Sequence, residues 1–335
     1  MRILFIGDVH LSDTNPRSRR DDYLKALLGK LDQCAELVKR HSYQHVFLLG
    51  DLFHKKKPDN NTHKMVGEVI DVLRCFPKNQ TYALVGNHDI RDGNLGCLPE
   101  QPLGVVYKSG ALQPLDKDMI LIEGALTVQI APLSFSYDAE TNPEMYDCLR
   151  QPGVDYLIRM THASILPVGL PELAYKMPHV GVEKIWGQNW NLLVNGHVHH
   201  HSEVITTPHT ANLKCPQSFV NVGAIARGAL NSWAFEQTPR VLGIRLDKQG
   251  SRVAMSYDWH ELKVGLPEEV FRVEDALRVK EHKAGMEEFV DGIRSSEVSL
   301  SAKTFDLGHM IDEFLNAQQV GESIKRKVKE YVGLR

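Results

Sequence analysis

Short apolar runs of strand length recur along the chain: "RILFI" at 2 to 6, "HVFLL" at 45 to 49, "TYALV" at 81 to 85, "DYLIRM" at 155 to 160 and "NLLVN" at 191 to 195. Runs this short, apolar at successive positions and rich in branched side chains, read as strands covered on both faces. The cover is helical in pattern. Leu24, Leu27, Leu28, Leu31 and Val38 keep helical spacing between Asp21 and Arg40, and Val66, Val69, Ile70 and Leu73 keep it between the second and third runs. The order is β-α-β-α-β. From about Gln217 to Leu262 the pattern changes to "SFVNVG", "RVLGIRL" and "RVAMSYDW", joined by turn signals such as "DKQG", which predicts a second, more antiparallel sheet stacked on the first. After "GLPEEV" at 265 to 270 the spacing turns helical, with Met286, Phe289, Val290 and Ile293 on one face and Leu307, Met310, Ile311 and Phe314 on another. One domain over 1–265 and a helical extension over 266–335 are expected.

Composition narrows the class without choosing a partner. With 335 residues, 42% of them hydrophobic, the chain can bury a substantial core. Its net charge of −3 provides no overall basic field, so attraction of nucleic acid would need a local patch or bound cations. The five cysteines form no CxxC pair and the chain opens directly on a strand-like run, which leads us to expect a reduced, cytoplasmic protein. No apolar run approaches the ~20 residues that span a bilayer.

The chemistry lies where the strands end. The five runs lead into "IGDVH", "LGDLFH", "VGNHD", "MTH" and "NGHVHH". In a mostly parallel sheet the carboxyl ends of the strands share one edge, so Asp8, His10, Asp51, Asn87, His88, His162, His197 and His199 are expected to converge there. Gly7, Gly50, Gly86 and Gly196 allow a sharp turn just before each group. A single aspartate or histidine at a strand end is ordinary as a cap or turn residue. Five such endings in one chain form a constellation. Carboxylate, imidazole and amide donors without thiolate suit manganese, iron or zinc, and a carboxylate can bridge two ions. His200 and His201 carry no comparable argument and read as a solvated loop.

In this order the blocks "GDVH", "GDLFH", "GNHD", "TH" and "GHVH" resemble the signature of the calcineurin-like metallophosphoesterases. The resemblance implies an α/β four-layer sandwich, two stacked mixed β-sheets flanked by helices. It also implies two divalent ions, with manganese expected and iron, zinc or magnesium as alternatives. Asp8, His10 and His199 would hold one ion, Asn87, His162 and His197 the other, and Asp51 would bridge them. His88 would be the catalytic histidine, oriented by Asp89. Within the superfamily, "GDLFHKKKPD" is similar to SbcD-type DNA nucleases, which implies His54 as a second histidine near the phosphate. DNA as substrate, a role in DNA repair or recombination, an SbcC-type ATPase as partner and a homodimer are what that likeness implies. Lys55 to Lys57 and Arg17, Arg19 and Arg20 would supply local positive charge.

Two departures from the SbcD pattern bear on this. "NVGAIARG" at 221 to 228 keeps Gly223 but lacks the usual Pro and Ser, and only about 70 residues follow Gly265 to cap DNA or dock a partner. A phosphodiesterase or phosphatase acting on nucleotides or other small phosphoesters is the alternative, since a metal site fixes the bond cleaved and not the size of the substrate. A non-catalytic protein-binding scaffold is the third class, and the complete set of ligand positions argues against it.

Overall fold

The structure is a computed structural model that describes residues 1–57, 61–166, 177–207, 216–228 and 238–272. The chain divides into two compact units, Met1–Leu277 and Arg278–Arg335, and every described residue belongs to the first. The helical extension expected over 266–335 lies, beyond Arg272, outside the described residues.

Two six-stranded mixed sheets stack face to face. In the first, β1 (Arg2–Ile6), β2 (His45–Leu48), β3 (Thr81–Ala83) and β4 (Gln113–Pro114) run parallel in that order. On the other side of β1 lies β13 (Arg240–Gln249), antiparallel with Arg2 opposite Arg245, and β14 (Arg252–Glu261) forms the edge. The second sheet contains β5 (Met119–Glu123), β6 (Leu126–Leu133), β7 (Tyr156–His162), β10 (Leu192–Gly196), β11 (Ile205–Thr206) and β12 (Ser218–Asn221), in the order β11-β12-β10-β7-β6-β5. A small ladder joins β8 (Ile165–Leu166) to β9 (Val180–Gly181).

The alternation of side chains explains the layers. Ile3 and Phe5 of β1 and Phe47 and Leu49 at β2 face the second sheet, where Ile158, Met160, Leu192, Val194 and Val220 meet them. Leu4, Ile6, Val46 and Leu48 face the opposite way, onto the helices. Those helices are α1 (Tyr23–His41), α2 (His63–Leu73) and α3 (Pro102–Lys108). The first starts where the Asp22 carboxylate accepts from the Lys25 amide at 3.0 Å, and the second where Thr62 accepts from Met65 at 3.2 Å. The outer face of the second sheet packs Leu157, Leu193, Phe219 and Trp190 against Tyr146, Val182 and Ile185, which lie on or beside 3₁₀ turns. A last short helix, α4 (Pro267–Val270), brings Val270 and Phe271 back onto the domain, both buried.

The sandwich matches the expected fold, but the strands are distributed differently. The five ligand-bearing strands do not share one sheet: β1, β2 and β3 belong to the first, β7 and β10 to the second. Conversely, "RVLGIRL" and "RVAMSYDW" complete the first sheet, and only "SFVN" joins the second, parallel to β10. The hydrophobic pattern states that a strand is buried on both faces and carries no label for its neighbour. No helix among the described residues is long and apolar enough to cross a membrane.

Phe47 is fully buried between the sheets, with ring centroids 5.9 Å from Phe5 and 5.3 Å from Tyr82. Phe47→Ala is expected to cost about 3 to 5 kcal/mol, seen as a lowered midpoint in chemical denaturation of the domain.

Candidate metal centre

The carboxyl ends of the two sheets meet, and the polar endings of β1, β2, β3, β7 and β10 gather at that seam. Beyond β1 and β2 the chains stay zipped. The amides of Val9 and His10 donate to the Asp51 carbonyl at 3.2 and 2.9 Å, Leu11 donates to Leu52 at 2.9 Å, and His54 donates back to Leu11 at 2.9 Å. This extension of the ladder carries His10, Asp51 and His54 to one place. The geometry is strained there: His10, Asp51 and His197 all adopt left-handed backbone, with φ of 52°, 49° and 72°. Gly50 also has positive φ, 99°, and a Cβ on it would come 2.5 Å from the His162 ring. A side chain on Gly86 would strike the Asp51 carboxylate. Thus the turns themselves fall largely on the functional residues, and the glycines serve chiefly to let neighbouring strands approach.

Three groups of donor atoms result among the described residues, each within 4.8 Å of its fellows: Asp8, His10 and His199; Asp51, His162 and His197; and His10 with His54 and His88. Asn87 belongs with the second, its Oδ1 lying 3.1 Å from His162 Nε2 and 3.0 Å from His197 Nδ1. Asp51 stands between the first and second. Its Oδ2 is 3.6 Å from His10 Nε2 in the first, and its Oδ1 is 3.5 Å from His162 Nε2 in the second. All seven residues expected as ligands are therefore brought together at one place.

The donors fit cations on chemical grounds. His162 Nδ1 donates to the Leu49 carbonyl at 2.7 Å, which fixes the ring and turns Nε2 toward Asn87 and Asp51, where a cation that displaced its proton would find a lone pair. His10 Nε2 and His199 Nε2 face each other at 2.8 Å. Asp8 Oδ2 is buried with no hydrogen-bond partner among the described residues, an arrangement that a carboxylate in the interior does not sustain without a positive neighbour. The titration behaviour shows the same demand. Burial disfavours charge on His162, yet the carboxylates of Asp51 and Asp8 overrule it and hold the imidazole up at about 10. Burial, with His162 adding repulsion, pushes His197 down to about 3, and burial keeps His10 well below its ordinary value. The two carboxylates draw positive charge into the site and leave neutral imidazoles around it. Such a set could hold two divalent ions.

His88 and His54 sit over the first group. His54 stacks on His88 at 5.4 Å and 17°, and both rings meet His10 edge-on, at 5.5 and 4.9 Å. The expectation that Asp89 orients His88 is corrected here. Asp89 is turned inward, where its carboxylate accepts from the amides of Gly86 at 3.0 Å, Phe53 at 3.1 Å and Leu52 at 3.4 Å. Burial, together with the charge of Asp51, raises it to about 7. His88 instead donates from Nδ1 to the His54 carbonyl at 2.7 Å, and its amide donates to Asp51 Oδ1 at 2.8 Å. Successive residues in a tight turn point apart, so adjacency in "NHD" does not make partners. Arg19 also leaves the expected patch: it is buried and forked onto Asp21 at 2.8 and 2.6 Å. Arg17 and Lys55 do line the cleft beside the centre, a space of about 410 Å³ bounded also by His10, His54, His199 and Tyr23.

Residues behind the ligands escaped the sequence reading. Thr161, Asn195 and Asn221 form a buried chain, Thr161 donating to Asn195 at 2.7 Å and Asn195 to Asn221 at 2.9 Å. Asn221 then donates to the carbonyls of Val198 and His200 at 2.6 and 2.5 Å, holding the backbone on both sides of His199. Phe135 packs against the His162 and His197 rings. The signal was an amide closing an apolar strand, in "LLVNG" and "SFVN", which resembles the ligand endings themselves.

A family model described as Calcineurin-like phosphoesterase matches residues 1–201. The chain is 32% identical over 94 residues, 28% of its length, to a UDP-2,3-diacylglucosamine hydrolase of Shewanella pealeana, and spans only 35% of that relative. Among solved structures it resembles a candidate 5′-nucleotidase from Staphylococcus aureus in complex with alpha-ketoglutarate, at 13% identity and a TM-score of 0.50, covering 79% of this chain and 55% of that one. An NAD nucleotidase from Haemophilus influenzae follows at 16% identity and a TM-score of 0.48, covering 78% of this chain and 50% of that one.

Asp51→Asn removes a charge shared by the first two donor groups. It is expected to reduce tightly held manganese from two ions per chain to one or none by elemental analysis after gel filtration, whereas Asn221→Ala should retain the ions with weakened affinity, by roughly 10- to 100-fold.

Proposed function

Because the chain belongs to the calcineurin-like phosphoesterase family, whose members hydrolyse phosphoesters at a dinuclear metal centre, we propose that its own substrate is a nucleotide or another small phosphoester. The observation that carries this reading is the cleft of about 410 Å³ opening on His10, His54 and His199. It falls in the range of small-molecule pockets, and Ser12, Thr14 and Asn15 offer polar groups that could orient the part of the substrate beyond the phosphate. The match to a hydrolase named for a UDP-linked substrate supports the same class.

In this reading Asp8, His10 and His199 would hold one cation, Asn87, His162 and His197 the other, with Asp51 shared between them. The chemistry such ions would supply is hydroxide near neutral pH and neutralisation of phosphoryl charge. The chain's own groups do the rest. With Nδ1 committed to the His54 carbonyl, His88 has Nε2 left to protonate the leaving oxygen. The His54 ring, stacked on His88, limits how that ring can tilt. Lys55 donates to Thr14 Oγ1 at 2.6 Å, closing one wall of the cleft and placing an ammonium beside it.

A second reading, DNA cleavage in company with an ATPase of SbcC type, is favoured by one observation. His54 stands at the centre beside His88, with Lys55 next to it, as a residue that turns a backbone phosphate into line would.

The deciding measurement compares bis-p-nitrophenyl phosphate, p-nitrophenyl phosphate, nucleotides and labelled single- and double-stranded DNA, with manganese, magnesium, zinc or a chelator. Turnover of the small esters, abolished by chelation and without DNA cleavage, is expected; faster cleavage of DNA would reverse the order of the two readings. His88→Ala should lower turnover roughly 10²- to 10⁴-fold with metal content unchanged. His54→Ala is expected to affect small esters and DNA alike, and a loss confined to DNA would support the second reading.

A further inference from the structure

An aromatic ledge borders the centre on the side of the second donor group. Phe135 lies against His197 at 6.0 Å and 37° and against His162 at 6.5 Å, and Tyr137 meets Phe135 edge-on at 5.3 Å and 75°. Phe135 is buried, whereas Tyr137 is 62% exposed. A single aromatic side chain at a surface is ordinary. This one is held in place, two ring contacts from a metal-binding histidine.

Backbone holds it from two directions. The loop after β6 is tied to the end of β3, where the Phe135 amide donates to the Val85 carbonyl at 2.9 Å and the Val85 amide donates to Ser134 Oγ at 3.2 Å. The Ala139 amide donates to Ser136 Oγ at 3.2 Å, opening a 3₁₀ turn at Asp138–Glu140 directly after Tyr137. From the other direction comes Gly93, whose backbone is left-handed with φ of 66°; a Cβ on it would stand 2.8 Å from the Tyr137 ring. The glycine lets the ring lie against the turn that follows the Asn87 and His88 block. An aromatic ring fixed before its ligand arrives loses little conformational freedom on binding.

The centre is thus flanked twice. The cleft of about 410 Å³ touches His10 and His199 of the first group, and the ledge touches His162 and His197 of the second. A monoester has one organic arm and needs only one of these. We propose that the substrate is a phosphodiester with two arms, the departing one in the cleft and the retained one a nucleoside whose base stacks on Tyr137. This inference rests on the small-phosphoester reading and narrows it. The path from His197 across Phe135 to Tyr137 is about the span between a nucleotide's phosphate and its base. Every base has a π-face, so the ledge selects a nucleoside without choosing among bases. His88 supplies the asymmetry, since its ring meets His10 of the first group and its Nε2 faces the cleft-side oxygen. Water adds to phosphorus, the bond to that oxygen breaks as His88 gives it a proton, and a nucleoside monophosphate remains on the ledge.

Two diesters with the same leaving group test this: thymidine 5′-(p-nitrophenyl phosphate) and methyl p-nitrophenyl phosphate, assayed with manganese on wild type, Tyr137→Ala and Tyr137→Phe. Wild type is expected to prefer the thymidine ester through a lower KM. Tyr137→Ala should raise KM for the thymidine ester roughly 5- to 150-fold more than for the methyl ester, in KM rather than kcat, and Tyr137→Phe, which keeps the ring, should retain the preference. Equal effects of Tyr137→Ala on both esters, or no preference in wild type, overturn the ledge and leave the small-phosphoester reading standing. Wild-type turnover of neither ester overturns both.

Discussion

Two carboxylates, Asp8 and Asp51, are buried on either side of the His162 ring, 3.6 and 3.5 Å from its nitrogens, and the interior must answer that charge. Much of the architecture serves this need. The ladder between β1 and β2 continues past the strands so that Asp51 can accept from the His88 amide while exposing both oxygens to histidines of different groups. The second sheet provides the imidazoles. His162 comes from the end of β7 and His197 from the turn after β10, where its amide donates to Asp8 Oδ1 at 3.1 Å. Neither sheet contains a complete site. The inter-sheet core of Phe5, Phe47, Ile158 and Val194 therefore does more than stabilise the domain, because together with the His162–Leu49 and His197–Asp8 hydrogen bonds it sets the separation between the half-sites.

Much of this was legible because the ligands interrupt a strong pattern. A buried strand ending in Gly-Asp, Gly-Asn or Gly-His is conspicuous, and repetition gave the set its meaning. The sheet assignment was not legible, since Leu192 to Gly196 is buried on both faces and its apolar run, Leu192 to Val194, reads the same in either sheet. The β5–β6 hairpin escaped for a different reason: Ile120 and Ile122 are 37% and 72% exposed, so apolar residues on the solvent side erase the alternation that marks a strand. The role of Asp89 was misread because its nearest neighbour in sequence is a histidine, while its partners, the Leu52 and Phe53 amides, come from the preceding block. Nothing in composition marks Lys30 either. It reads as one more polar position on a helix, and its burial shows only once the chain returns to place the Ile225 carbonyl on its ammonium.

The left-handed backbone at His10, Asp51 and His197 limits how this centre can change. That conformation disfavours branched and bulky side chains and is tolerated best by Gly, Asn, Asp and, to a lesser degree, His. The residue types that turn the chain there are also oxygen and imidazole donors. Exchange among them can alter the preferred metal without rebuilding a loop, whereas a substitution such as Glu would demand new backbone as well as a new ligand.

The antiparallel pairing of β1 with β13 has a consequence for synthesis. β1 acquires its second neighbour only after Leu242 to Arg245 are made, and the amide that braces the Asp8 carbonyl belongs to Ile225. At typical rates of elongation, Asp8 spends on the order of ten to forty-five seconds before that brace exists. During this interval the first sheet is a parallel fragment whose β1 edge is still open, and His162, His197 and His199 are added only in its later part. The nascent chain must stay unaggregated, and hold metal at most loosely, until the second half of the domain arrives.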